Sequence, residues 1–290
     1  MKLVKHFIKT WLLPPGVVRS VTRYKNKLRN GFFSAESKSL LKKSSQIKDR
    51  HIGSRCFILG AGSSIAEQDL KKLAGEFVIS VSNTFVHPDF SVIKPKYHVL
   101  PHLIYGHGSL YSQENMVIWL QEMEQKTCKA EMFFHIADRE MIESNGLFEG
   151  REIHWNAYSS DWDCDTSFPI DLSCIPPIRS VSEYAITVAL YLGFDKIYLL
   201  GFDHDWFNGP LVYFYDHKTQ HAMKPTAKLL EFADAEFQMR RHADIFRKYK
   251  YLYSVKKNIF NANADSQHYL DVFPKVNYES LFKPKNLSSN

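Results

Sequence analysis

The sequence predicts an α/β fold, a Rossmann-like and mainly parallel sheet with helices on both faces, preceded by a basic amphipathic N-terminal arm. Two observations carry this expectation. Short apolar runs such as RCFILG, FVISVSN and KIYLLG alternate with amphipathic or capped stretches such as SVSEYAITVALYL. That is the rhythm of strand–crossover–strand units, whose parallel strands are buried on both faces. The second is bulk: 290 residues, 44% of them hydrophobic and 14% aromatic, suffice for a substantial core.

Taken in order, RCFILG reads as a buried strand, SSIAEQDLKKLA as a helix opened by serine, and FVISVSN as a second strand. KPKYHVL is a third strand, the segment around NMVIWLQEMEQK a helix, and KAEMFFHI a fourth strand. Residues 145–177 hold aromatics, Asp161, Asp163, Asp165 and Pro176-Pro177 with little periodicity, and read as an irregular region over the site. A serine-capped helix then ends at Gly193 before the strand KIYLLG. Residues 226–250 predict a long amphipathic helix, and NIFNAN a last strand. No internal repeat is present.

The net charge of +6 is unevenly spread. Residues 1–50 hold 13 Lys or Arg against Glu36 and Asp49, which leaves 24 basic and 29 acidic side chains for the other 240 residues. A mildly acidic folded part argues against a nucleic-acid partner, which would need a basic face. In the first 18 residues, Leu3, Val4, Phe7, Ile8, Trp11 and Leu12 share one helical face, with Lys2, Lys5, His6, Lys9 and Thr10 opposite. Such an arm, through residues 1–30, suits an anionic membrane surface; docking on its own domain or on a partner subunit is the alternative. Residues 34–50 read as a linker or marginal helix. The division expected is therefore 1–50 as arm and linker and 51–290 as one domain, with room for a homo-oligomer. Cys56, Cys128, Cys164 and Cys174 lack zinc-ligand spacing, so no metal or disulfide framework is expected. A cytoplasmic protein, held peripherally at the inner face of the membrane, fits these features.

Gly60-Ala61-Gly62-Ser63-Ser64 follows the first strand, where α/β folds bind ligands. Glycines permit close approach, and free N–H groups at a helix start face an anion. No lysine makes this a GxxxxGK[ST] loop. Ile65 replaces the third glycine of a dinucleotide fingerprint, and strand two ends in Ser82-Asn83 rather than an acid. A mononucleotide or nucleotide-sugar fits better than NAD. Asp203, His204 and Asp205 leave a later strand end, followed by Tyr213, Tyr215, Asp216, His217 and His221. Arg179-Ser180-Val181-Ser182 opens a helix and offers a further anion site.

At ILGAGSSI, VSN, SVSEYAITVALYLGFDKIYLLGFD and NG…YFYD the chain resembles the bacterial sialyltransferases of surface glycans, and equally the wider MptE-like domain family of flagellin-glycosylation and polysaccharide proteins. The resemblance spans roughly residues 55–282 and is dense at 56–83 and 178–216. It implies an inverting glycosyltransferase of surface-polysaccharide biosynthesis that takes a CMP-activated sialic or other nonulosonic acid, needs no cofactor or metal, and acts on a glycan or lipid-linked glycan. It also implies that Gly60, Gly62, Ser63 and Ser64 meet the nucleotide, Asn83 its ribose or phosphate region, and Ser180 and Ser182 the nucleotide at the helix start. Asp203 belongs to the same crevice. Tyr213 matches a tyrosine that bonds the leaving phosphate, Arg179 lies one position from the family's arginine, and the family's second tyrosine falls near Asp205 or Trp206. A histidine base is implied, with His217, His221 and His242 competing and His221 favoured by its place after the tyrosines. Two alternatives remain: an ATP-dependent pterin diphosphokinase with Mg²⁺ on Asp203 and Asp205, and a non-catalytic nucleotide-sugar-binding scaffold.

Overall fold

The computed structural model describes residues 33–103, 112–127, 129–158, 168–204, 213–215, 235–263 and 271–282, with Val17, and only the backbone of 235–238. The basic arm lies outside them, as do Asp205, His217 and His221. Seven strands form one all-parallel sheet: β1 (Arg55–Leu59), β2 (Phe77–Val81), β3 (Tyr97–Val99), β4 (Glu131–His135), β5 (Ile153–Asn156), β6 (Lys196–Leu200) and β7 (Ile259–Asn261). Their spatial order is β5-β4-β3-β2-β1-β6-β7. The chain thus builds outward from β1 to β5 and then crosses back to lay β6 on the other side of β1. This places the topological switch point between β1 and β6, where such sheets open a crevice beyond their carboxyl ends.

Period-two burial sorts the strand side chains between two layers. Cys56, Ile58, Ile79, Val81, Tyr97, Val99 and Phe133 face helices α5 (Val181–Tyr191) and α6 (Ala235–Val255). Phe57, Leu59 and Val78 face the opposite layer with Ile65, Leu70 and Ile93 of α2 (Phe90–Ile93). Farther along that layer, Met132 and Phe134 meet Met116, Trp119 and Met123 of α3 (Gln113–Lys126) and Met141 of α4 (Arg139–Ser144). Helix α5 is buried along nearly its whole length, from Ser182 to Ala189, so it is a central layer element and its N-terminus is fixed tightly above the sheet. No helix among the described residues is long and apolar enough to cross a membrane.

Three expectations change. The serine-opened helix after β1 is instead two short 3₁₀ turns, Ser63–Glu67 and Leu70–Leu73, separated by extended Gln68. Tertiary hydrogen bonds cause the break: Asp203 takes the Ser64 N–H, and Gln68 Nε2 donates to the Ala262 carbonyl. The irregular region 145–177 contains β5, an edge strand whose Asn156 donates to the Phe134 carbonyl at 2.6 Å. Residues 34–50 form a capped helix, α1 (Ala35–Ser44), and pack into the domain. Backbone bonds run from Asp49 and His51 to the Tyr191 and Leu192 carbonyls, and the His51 ring stacks on Phe194 at 4.5 Å. The packed unit therefore begins before residue 51.

At the amino end of β4, Glu131 accepts from Arg50, Lys96 and His154 at 2.8, 2.8 and 2.7 Å. Burial pushes its carboxyl up, but the bonds from His154 and Lys96 outweigh this and hold it at about 2. A folded value below the unfolded one stabilises fully above the unfolded pKa and is lost as pH falls through the folded one. The urea midpoint of the wild type should therefore exceed that of Glu131→Gln near pH 6, with the gap narrowing as pH drops from about 4.5 toward 2.

Candidate functional site

The site is assembled where the turns after β1 and β6 meet. Gly60 donates its N–H to the Leu200 carbonyl at 2.7 Å and Gly62 donates to Gly201 at 2.8 Å, so the two turns lie backbone against backbone. A Cβ on Gly62 would fall 2.5 Å from Asp203 Oδ2, and one on Gly60 under 3.0 Å from the Gly201 carbonyl. These glycines are required by the contact between turns.

Asp203 locks that contact. Its carboxylate accepts from the Ser64 N–H at 3.0 Å, from the Ser64 hydroxyl, and from Asn263 Nδ2 at 3.2 Å. Asn263 in turn accepts from the Gly201 N–H at 2.9 Å, and its own N–H donates to Asn261 Oδ1 at 3.0 Å. The carboxylate occupies the anion position at the first turn after β1. With only a 3₁₀ turn behind it, this place has no helix field to offer a phosphate. Among the described residues, the N–H of Ala61 has no acceptor.

Asn83, expected at the ribose, is buried and held on both sides. Trp119 Nε1 donates to its Oδ1 at 2.7 Å, and its Nδ2 donates to the Tyr215 hydroxyl at 2.7 Å. Tyr215 stacks on Tyr213 at 5.3 Å, and Tyr213 bridges Gly62 in antiparallel fashion. Asn83 thus supports the tyrosine pair from behind and brings Tyr213 to the glycine turn.

The third wall is the start of α5. Ser180 caps it, accepting from the Ser182 hydroxyl at 2.9 Å, while Glu183 Oε2 accepts the N–H groups of Arg179 and Ser180, each at 2.6 Å. This capping box satisfies the end of the helix internally. Glu183 also pairs with Lys248 of α6 at 2.7 Å, both side chains being buried. Arg179 pairs with Asp244 at 3.2 Å and is half-exposed.

One residue missed in the sequence completes this wall. Arg241 of α6 donates to the Arg179 carbonyl at 3.0 Å. Burial pushes its guanidinium below the ordinary value; Tyr213 and Glu183 oppose this, and the like charge of Arg179 adds to it. Arg241 thus lies against the Arg179 backbone with Tyr213 within electrostatic reach, and two guanidiniums near a phenol suit an anion. The signal lay in the QMRRHADIFRKYK helix, but its register against α5 is a tertiary fact. His242, one of the three histidines considered, is buried, with Nε2 3.3 Å from the His204 carbonyl.

A second group missed in the sequence lies at the ends of β3, β4 and β5. His102 Nδ1 is 2.7 Å from Asp138 Oδ1, and Asp138 also accepts the Leu103 N–H at 3.2 Å. The His102 N–H donates to the Tyr158 hydroxyl at 3.0 Å. His135 lies beside His102 with ring centres 4.6 Å apart, and its Nδ1 and Nε2 sit 3.2 and 3.1 Å from the backbone nitrogens of Ala137 and Tyr158, one of which it can accept from in a given tautomer. One ligand atom from each of His102, His135 and Asp138 lies within 4.8 Å of the others, and the Asp138 carboxylate is already bonded to His102 Nδ1 and the Leu103 N–H. Of the two cysteines described, Cys56 is buried and its thiol pushed well up by burial, and Cys174 is also free.

No family model, curated protein or solved structure matches this chain.

The Glu183–Lys248 pair anchors the α5 start. Lys248→Met should destabilise the fold by about 3 kcal/mol, because it leaves a buried carboxylate with its two N–H donors but without its cation. Adding Glu183→Gln should recover part of that loss in urea unfolding.

Proposed function

We propose that the chain is a glycosyltransferase that takes a sugar from a CMP-activated donor, a sialic or other nonulosonic acid, and transfers it with inversion to a glycan of a bacterial surface polysaccharide. One observation carries the reading: Arg241 donates to the Arg179 carbonyl at the start of α5, with Tyr213 within electrostatic reach, beside the switch point of a parallel sheet. The leaving CMP phosphate gains negative charge in the transition state. A phenol and two guanidiniums set in advance around it lower that barrier most where water is excluded. The resemblance at ILGAGSSI and SVSEYAITVALYLGFDKIYLLGFD names the nucleotide. The Ala61 N–H and the Ser63 hydroxyl would meet its ribose or phosphate. The basic arm, residues 1–30, would bring the enzyme to an anionic membrane surface carrying a lipid-linked acceptor.

The diphosphokinase alternative asks Asp203 to hold Mg²⁺. Its carboxylate already accepts from Ser64 and Asn263, and releasing it would part the turns after β1 and β6. The geometry weighs against that role.

Thermal unfolding with CMP, UDP, GDP, ATP plus Mg²⁺, and NAD tests the reading. CMP alone should raise the midpoint, with or without EDTA; at about 100 times its Kd the ligand adds roughly 2.7 kcal/mol. Arg241→Ala should abolish the CMP shift. A Mg²⁺-dependent ATP shift without CMP binding would replace this reading by the diphosphokinase, and no shift with any ligand would favour a scaffold.

A further inference from the structure

We propose that His102, oriented by Asp138, takes the proton from the acceptor hydroxyl, so that the acceptor enters over the ends of β3 and β4; this rests on the transferase reading above. The arrangement has the three parts that a base needs. The first is a fixed ring: Asp138, 1% exposed, holds Nδ1 at 2.7 Å and is itself held by the Leu103 N–H, while Tyr158 holds the His102 backbone. The second is a defined tautomer. A carboxylate acceptor keeps the hydrogen on Nδ1 and leaves the lone pair on Nε2. The third is access. The His102 side chain is 39% exposed, its Nδ1 edge is turned inward, and Nε2 has no partner among the described residues.

Position supports the same assignment. Tyr158 packs edge-on against His102 at 6.5 Å and against Tyr184 of the first turns of α5 at 6.4 Å. The dyad therefore lies along the same carboxyl edge of the sheet as the Arg179–Arg241–Tyr213 wall, with the α5 start between them. A donor with its phosphate on that wall would direct its sugar toward one side or the other, and the β3–β4 side is where a base is already built. Among the described residues, the groups facing His102 are Asp138 at the start of α4, His135 at the end of β4 and Tyr158 after β5; the Asp138 bond raises the imidazole above its ordinary value, against burial. His135 has a backbone nitrogen within 3.2 Å of each ring nitrogen and no carboxylate bond like that of His102 to Asp138 among the described residues.

In the step, the acceptor oxygen bonds to the anomeric carbon as its proton passes to His102 Nε2. The bond from the anomeric carbon to the phosphate oxygen breaks, and its electron pair leaves with CMP. The imidazolium then returns the proton to solvent.

The test follows CMP release from CMP-N-acetylneuraminate, with a galactoside or water as acceptor, alongside the CMP thermal shift. His102→Gln should keep the fold and the CMP shift but lower kcat by about 10²-fold or more, leaving donor KM unchanged. Asp138→Asn should lower kcat and move the acid limb of the pH profile to lower pH, since it removes the group that raises His102. Full activity in His102→Gln, or CMP binding by the wild type without any CMP release, would overturn the assignment while leaving the nucleotide site standing. Loss of wild-type activity in EDTA, restored by zinc, would also overturn it, because Nε2 would then be holding a metal ion. No CMP shift in the wild type would remove the transferase reading and the base together.

Discussion

The Asp203 carboxylate is the constraint on which the rest of the site depends. It joins three segments that leave adjacent strands: the Ser64 turn after β1, its own turn after β6, and Asn263 after β7. Because β1 and β6 flank the switch point, this single group decides whether the crevice is open or closed at its base. It closes it. Charge-assisted bonds from a backbone N–H, a hydroxyl and a carboxamide are each stronger than neutral ones, and in a buried setting they define one geometry. The two glycines follow from this contact, since any side chain at Gly60 or Gly62 would collide with the opposing turn.

With the base of the crevice filled, the proposed anion site falls on elements that the sheet does not itself provide. Helix α5 is buried between the sheet and α6, and the Glu183–Lys248 pair fixes α6 against the α5 cap. Arg241 is thereby set beside Arg179, and Asn83 with Trp119 sets the Tyr215–Tyr213 stack opposite them. Packing of the core is thus translated into placement of charge. The same parallel sheet presents His102 and Asp138 two strands farther along, again beyond carboxyl ends, so donor and acceptor would meet across the α5 start.

Much of the fold was legible because its signals are local. β1, β2, β4 and β6 are continuous apolar runs, and the α5 start has its serine cap and glutamate three residues on. β5 was missed because IHWN, bounded by Arg151-Glu152, lacks both an apolar run and clean alternation. The helix after β1 was overread: SSIAEQDLKKLA has helical spacing, but bonds from Asp203, 139 residues away from Ser64, and to Ala262 outweigh it. The site was legible at its backbone positions and less so in its roles. Gly62 and Tyr213 do meet in a β-bridge, whereas the partners of Asn83 lie 36 and 132 residues distant and could not be read locally. Arg241 and the His102–Asp138 pair were invisible for the same reason: each depends on a register between elements that no window of sequence contains.

The central claim is that the anion belongs on the tyrosine–arginine wall and not in the glycine turn. A crystal structure of the protein with CMP tests this most directly. The phosphate oxygens should lie within hydrogen-bond reach of Tyr213 Oη and the Arg241 guanidinium, with Asp203 still bonded to Ser64 and Asn263. A phosphate seated on the Ser64 N–H, with the Asp203 carboxylate displaced, would contradict the account.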